Sequence, residues 1–223
     1  PGGVSGNREF FSSERVNRQR RESFLGILGS EPLLRSGIQG ASVLDVGCGD
    51  GGTLLALAES GAKHVVGIDT DAGRLDSAAR AAKSWENVEC LLTDGSHMPF
   101  EDNRFDFVLC SEVIEHVLDP LAFLSEVARV VKPGGIVYIT FPSFRSISGP
   151  HLWHLVKVPF AQFIFGLDAM RYAAAEVLKK QRQMVEFSWD NINGMTVSMI
   201  RGLLRRQQRL NILKLRVYTP FRP

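Results

Sequence analysis

Between residues 36 and 142 the chain alternates between two patterns. Short apolar runs occur at Ala41–Val46, His64–Asp69, Val88–Leu92, Phe105–Cys110 and Ile136–Phe141. Their length and β-branched content predict five strands. The intervening stretches carry apolar residues at helical spacing. They predict helices over Gly52–Ser60, closed by Gly61, over Ala72–Ser84, rich in alanine, and over Pro120–Val131. In the last, Leu121, Leu124, Val127 and Ala128 share a face. Lys132-Pro133-Gly134-Gly135 reads as a turn before the fifth strand. Strands alternating with helices imply βαβ units. Right-handed crossovers then give an α/β fold, a doubly wound, mostly parallel sheet with helices on both faces.

Three segments flank this core. Residues 1–35 read as helical over 8–28, with Pro32 interrupting or restarting the helix. Residues 143–195 lose the regular pattern. His151–Phe165 is apolar and aromatic, and 167–183 reads as a helix. Residues 196–223 hold an amphipathic helix over Thr196–Gln208 and a sixth strand over Asn211–Tyr218. The chain is therefore read as 1–35, core 36–142, an acceptor-site lid 143–195, and a C-terminal helix and strand.

The 223 residues are 44% hydrophobic and 22% charged, which suits one globular domain with an appendage and excludes disorder or coiled coil as a global description. Cys48, Cys90 and Cys110 form no CxxC pair and no even disulfide framework, so a reducing, cytoplasmic setting is expected. No leader pattern opens the chain and no apolar run approaches the ~20 residues that span a bilayer. The first residue is Pro1 rather than Met, so trimming is expected. The net charge of +2 conceals a basic C-terminal part: residues 179–216 carry nine Lys or Arg against Glu186 and Asp190.

Asp45-Val46-Gly47-Cys48-Gly49-Asp50-Gly51-Gly52 follows the first strand and opens a helix. Gly47, Gly49 and Gly52 satisfy GxGxxG, a nucleotide-binding pattern that is weak alone. Electrostatics separates its ligands. A pyrophosphate seeks a helix N-terminus free of carboxylates. Asp45 and Asp50 would oppose it by about 1 kcal/mol or more each. They favour a cation, and S-adenosylmethionine (SAM) carries a sulfonium and an ammonium and no phosphate. Asp69, at the end of the second strand, is placed to accept from ribose hydroxyls in either cofactor class.

Five motifs in order carry a family resemblance. They are Val43–Gly51, Gly67-Ile68-Asp69, Asp94-Gly95 with Met98-Pro99-Phe100, Phe105-Asp106-Phe107-Val108, and Lys132–Gly135. Over residues 36–142 the chain resembles the class I SAM-dependent methyltransferases, with their Rossmann-like fold. It looks closest to the group holding ubiquinone-pathway and natural-product small-molecule methyltransferases. The resemblance implies that the loop Gly47–Gly51, with Cys48 and Gly49, wraps the methionine part of SAM and that Asp69 holds the ribose. It implies Asp94 with Gly95 at the adenine amino group and Ser111 beside the methionine moiety, and Asp45 and Thr70 are expected among the cofactor-binding residues. S-adenosylhomocysteine is then the product. The family sheet ends in two further strands, of which only Asn211–Tyr218 is found, so the last is expected to be missing, displaced or cut.

Ser111-Glu112-Val113-Ile114-Glu115-His116-Val117 follows the fourth strand, at the edge where open α/β sheets bind ligands. Three readings stay open. Glu112, Glu115 and His116 could ligate a divalent metal, as a similar element does in small-RNA 2′-O-methyltransferases, with His151 or His154 as a further ligand. Alternatively His116 is a general base, since an unperturbed imidazole pKa near ~6.5 suits that task. In the bland reading they cap a helix and anchor a loop, and no metal is bound. His151 and His154 are the other candidate bases. The aromatic 151–165 segment would close an apolar cleft over a small hydrophobic or aromatic acceptor, with O-methylation favoured over C- or N-methylation.

Rival readings are an RNA methyltransferase using the basic C-terminal segment, a non-catalytic binding subunit, and an NAD-dependent oxidoreductase. Residues 196–216 contain no aromatic residue for base stacking, which disfavours nucleic acid. Contact with a membrane surface is a minor alternative. A monomer and a homodimer are both compatible with the sequence.

Overall fold

A computed structural model describes residues 13–145, 172 and 193–217. In chain order the elements are α1 (Ser13–Ser30), α2 (Pro32–Ile38), β1 (Ser42–Val46), α3 (Gly52–Glu59), β2 (His64–Asp69), α4 (Ala72–Ala81), β3 (Val88–Leu92), β4 (Phe105–Ser111), a 3-10 turn (Ile114–His116), α5 (Pro120–Val130), β5 (Val131–Thr140) and α6 (Val197–Gln207). Pro32 sits in the first turn of α2, where its missing N–H costs nothing, so it restarts a helix rather than ending one. Asp71 caps α4 by accepting from the Gly73 and Arg74 amides.

The sheet order is β3-β2-β1-β4-β5. β1 pairs in parallel with β2 and β4, and β2 with β3. Such a central strand is covered on both faces, which explains why Val43, Leu44, Asp45 and Val46 are all buried. The chain reverses its direction across the sheet between β1 and β4, so their carboxyl ends flank a topological switch point, where open α/β sheets bind ligands.

The fifth strand differs from expectation in a way geometry explains. The Arg104 amide donates to the Val130 carbonyl, and the Glu112 amide to the Thr140 carbonyl, both at 2.9 Å. The β5 side therefore spans two more residues than the β4 side between these bonds. The surplus falls at Pro133-Gly134-Gly135, where Pro133 lacks an N–H and Gly134 has a φ of 79°. The predicted turn is thus an irregular opening of the strand itself. Asp106 anchors it, accepting from Lys132 Nζ at 2.6 Å and from the Ser42 amide at 2.9 Å. These bonds, the lysine first, hold the Asp106 carboxyl below the usual range.

The chain divides into two compact units, residues 1–111 with 125–139, and residues 112–124 with 140–223. In the first, the core is built from Ile38, Val43, Leu54, Leu57, Phe107 and Leu109, all fully buried. Helix α1 adds Phe24 and Leu28 to it, and Arg21 pairs with Glu59 of α3 through both carboxylate oxygens. In the second, Thr196 caps α6 by accepting from the Met199 amide. Ile200 is buried, while Arg201, Arg205 and Arg206 are exposed. Residues 211–217, where a sixth strand is expected, are exposed and carry no strand, and Tyr218 lies outside the described residues. Among the described residues no helix is long and apolar enough to cross a membrane.

Helix α3 lies against β2 at Gly67, where a Cβ would stand 2.8 Å from the Leu54 methyls and 2.9 Å from Cys48 Sγ. Gly67→Val should therefore destabilise the domain by about 2 kcal/mol or more through overpacking. Thermal melting checks this; an unchanged midpoint would contradict the packing described.

Candidate cofactor site

The loop Gly47–Gly51 joins β1 to α3 and is tied to the end of β2. The Gly47 and Cys48 amides both donate to the Ile68 carbonyl, at 2.8 and 3.0 Å. The Gly49 amide donates to Asp69 Oδ2 at 2.8 Å, and the Gly51 amide to the Cys48 carbonyl at 3.1 Å. Gly51 has a φ of 93°, and a Cβ there would stand 2.9 Å from Ala78 Cα, so only glycine fits. Four loop amides are thus already spent inside the protein. The N-terminus of α3 is covered as well: a Cβ on Gly52 would lie 2.6 Å from the Asn17 carbonyl oxygen of α1. A loop that cradles pyrophosphate must aim free amides at it. Here four of the five amides from Gly47 to Gly51 are turned inward.

Its charges point the same way. Asp45 is 1% exposed, and its Oδ2 accepts from Thr53 Oγ1 at 2.5 Å. Burial raises its pKa to about 7, against the pull of the Thr53 hydrogen bond and Arg20, with Asp69 adding a smaller upward push. Asp69 is 8% exposed, and its Oδ1 accepts from the Asp71 amide at 3.0 Å. Each Asp69 oxygen thus keeps a further lone pair. Asp50 pairs with Arg74 of α4 at 3.5 Å, and the Arg74 guanidinium lies over Gly49. The Cys48 thiol is buried and its pKa is pushed far up, chiefly by desolvation, so it is a packing group and not a nucleophile.

Beyond β3, Thr93 donates its amide to the Asp69 carbonyl at 3.1 Å, which sets the following turn beside the end of β2. Asp94 is exposed, and its Oδ1 accepts from Ser96 Oγ (2.7 Å), the Ser96 amide (3.0 Å) and the His97 amide (3.3 Å). These bonds, the Ser96 hydroxyl foremost, hold its carboxyl below the usual range. Oδ2 accepts none of these three bonds. Thr70 is exposed and Gly95 half-buried in the same region. Arg129 holds the turn from behind. Its guanidinium donates to the Phe100 and Met98 carbonyls, at 2.6 and 3.0 Å, to Asp102 at 2.9 Å, and to Glu126. Glu126 in turn accepts from the Met98 amide.

The segment after Ser111, the last residue of β4, belongs to the second unit. Glu112 is exposed with a φ of 57°, whereas Glu115 is 1% exposed within the 3-10 turn. His116 Nε2 lies 3.8 Å from Glu115 Oε1. Asn193 clamps the turn: its Nδ2 donates to the Ile114 and Val117 carbonyls at 2.8 and 2.9 Å, and its amide to the Glu115 carbonyl at 2.8 Å. Among the described residues no three His, Cys, Asp or Glu side chains gather closely enough to hold a metal. His151 and His154 lie outside the described residues, as do the rest of the aromatic 151–165 segment and, Tyr172 excepted, the helix expected at 167–183.

Residues 44–139 match a family described as a methyltransferase domain. This core belongs to the class I SAM-dependent methyltransferases. The chain is 31% identical over 153 residues to a demethylmenaquinone methyltransferase of Bacillus licheniformis, covering 68% of this chain and 61% of that one. It is 33% identical over 131 residues to a ubiquinone biosynthesis O-methyltransferase of Coxiella burnetii, covering 58% and 53%. The fold is shared with the YcgJ protein of Bacillus subtilis, with a TM-score of 0.57 at 21% identity over 79% of this chain and 66% of that one. The chain spans about a third to three fifths of the length of the curated relatives it matches.

Of the five motifs, Val43–Gly51, Gly67–Asp69 and Asp94-Gly95 run to or follow the ends of β1, β2 and β3, whereas Phe105–Val108 lies within β4 and Lys132–Gly135 within β5. Thr53, Asn17, Arg74, Arg129 and Asn193 belong to no such motif. Each works through tertiary contact, and only Arg129 leaves a local trace, as Glu126 precedes it at i, i+3.

Asp45 makes stability depend on pH. An unfolded aspartate ionises near 4 and the folded one near 7, so across that window the folded chain holds a proton the unfolded chain has lost. Its contribution is full below pH 4 and is lost as pH rises to 7. Asp45→Asn should raise the melting temperature of the ligand-free protein by a few degrees at pH 8 and leave it unchanged at pH 4. Removing Arg129 strands a carboxylate and two carbonyls, so Arg129→Leu should cost about 2 kcal/mol or more in denaturant unfolding.

Proposed function

We propose that this protein is a SAM-dependent methyltransferase acting on a small acceptor. The observation that carries the reading is the glycine loop with four of its five amides spent and carboxylates at its ends. Such a loop accepts a cation and repels a phosphate. SAM brings a sulfonium and an ammonium, and its ribose hydroxyls suit the remaining lone pairs of Asp69. Asp94 Oδ2 would take the adenine amino group.

Transfer is an in-line displacement. A nucleophilic atom of the acceptor attacks the methyl carbon, the carbon–sulfur bond breaks, and its electron pair stays on sulfur as neutral S-adenosylhomocysteine. The protein mainly supplies proximity and alignment. An acceptor hydroxyl must also lose its proton. Of the three candidate bases, His116 stands on a turn held from three sides by Asn193; His151 and His154 remain candidates from the sequence. The relatives named for demethylmenaquinone and ubiquinone support an apolar, ring-bearing acceptor and, in the second case, O-methylation.

Calorimetric titration with SAM, S-adenosylhomocysteine and NAD, followed by transfer of labelled methyl to a panel of quinols and phenols, tests the reading. Binding of the first two and not of NAD is expected. Binding of NAD alone would overturn it. Ionised Asp45 suits a cationic ligand, so affinity for SAM should rise by up to about tenfold between pH 6 and pH 8. A flat profile would remove Asp45 from the site.

A further inference from the structure

Helix α1 lies outside the matched methyltransferase region, yet it reaches the cofactor loop. Asn17 is 9% exposed. Its Nδ2 donates to the Asp50 carbonyl at 2.6 Å, which fixes the orientation of its amide. Its Oδ1 is buried and meets no donor among the described residues. A buried acceptor without a donor costs free energy comparable to a lost hydrogen bond, and such atoms call for an explanation. The backbone explains why Asn17 cannot retreat. Gly52 brings α1 so close that a Cβ there would stand 2.6 Å from the Asn17 carbonyl oxygen and 2.9 Å from Arg20 Cβ. The Asn17 side chain is therefore pressed onto the loop between Asp50 and the start of α3.

On the reading that the loop holds SAM, we infer that Asn17 is a cofactor-binding residue whose Oδ1 accepts a hydrogen bond from the α-ammonium of the methionine moiety. The chemistry of the position supports this. The atom needs a donor, and Asp45 and Asp69 already make the locality favourable to positive charge. Arg20, one turn further along α1, lies near enough to lower the pKa of Asp45 and supplies a cation for the ligand's carboxylate. Helix α1 would thus read the amino-acid end of the cofactor while β2 and β3 read the nucleoside.

Two ligands separate these roles. S-adenosylhomocysteine carries the amino-acid end; 5′-methylthioadenosine keeps the nucleoside and thioether and lacks it. Affinities of both are measured by calorimetry for the wild type, Asn17→Leu and Asn17→Ala. The expected result is a loss of about tenfold or more for S-adenosylhomocysteine in both variants with 5′-methylthioadenosine unchanged. Equal weakening of both ligands would make Asn17 a purely structural residue and overturn the inference, as would no change for either. If Asn17→Leu fails to fold, the smaller Asn17→Ala decides between these outcomes. Failure of the wild type to bind either ligand would instead overturn the SAM reading itself.

Discussion

Everything at the cofactor site depends on one join, between the glycine loop and the end of β2. Ile68 and Asp69 accept three of the loop's amides, those of Gly47, Cys48 and Gly49. That join has two consequences. It holds the loop in a single shape before any ligand arrives, which lowers the ordering cost of binding. It also turns the loop's donors inward, so that what the loop shows a ligand is acceptor and negative charge. The same sequence pattern on the same fold serves pyrophosphate when its amides point outward. The difference between the two cofactor classes is therefore a matter of where N–H groups go, more than of where the glycines are.

Asp45 is the costly part of this arrangement. A carboxylate at the centre of a parallel sheet gains one hydrogen bond, from Thr53, and loses its hydration. Its raised pKa records that imbalance. A fold optimised for stability alone would place an apolar residue there, as it does at Val43, Leu44 and Val46. Its presence is understandable if a cationic ligand repays the cost, and this is the trade between stability and function often met at binding sites.

The five strands, the helices between them and the glycine loop were legible because each is written locally: apolar runs of strand length, helical spacing, and glycine where φ must be positive. Asp45, Asp50 and Asp69 were legible because charge beside a glycine loop has a direct electrostatic meaning. The sixth strand expected at 211–218 is not seen over residues 211–217, and alternation of apolar and basic residues specifies a side-chain pattern without specifying the strand that it joins. The turn expected at Lys132–Gly135 lies inside β5, because proline and glycine can open a strand as well as end it. Asn17, Arg129 and Asn193 were invisible in the sequence. Asn17 acts on a loop 33 residues away and Asn193 on a turn 76 to 79 residues away, distances over which one sequence carries no signal.

The most direct test of the account is hydrogen exchange of the Gly47, Cys48, Gly49 and Gly51 amides in the ligand-free protein, followed by NMR with and without ADP. Slow exchange from the start is expected, protected on the order of 100-fold or more, with no further change when ADP is added. Unprotected exchange that slows only in the presence of ADP would mean that the amides face outward and hold phosphate, and it would contradict the assignment of a cationic, phosphate-free cofactor.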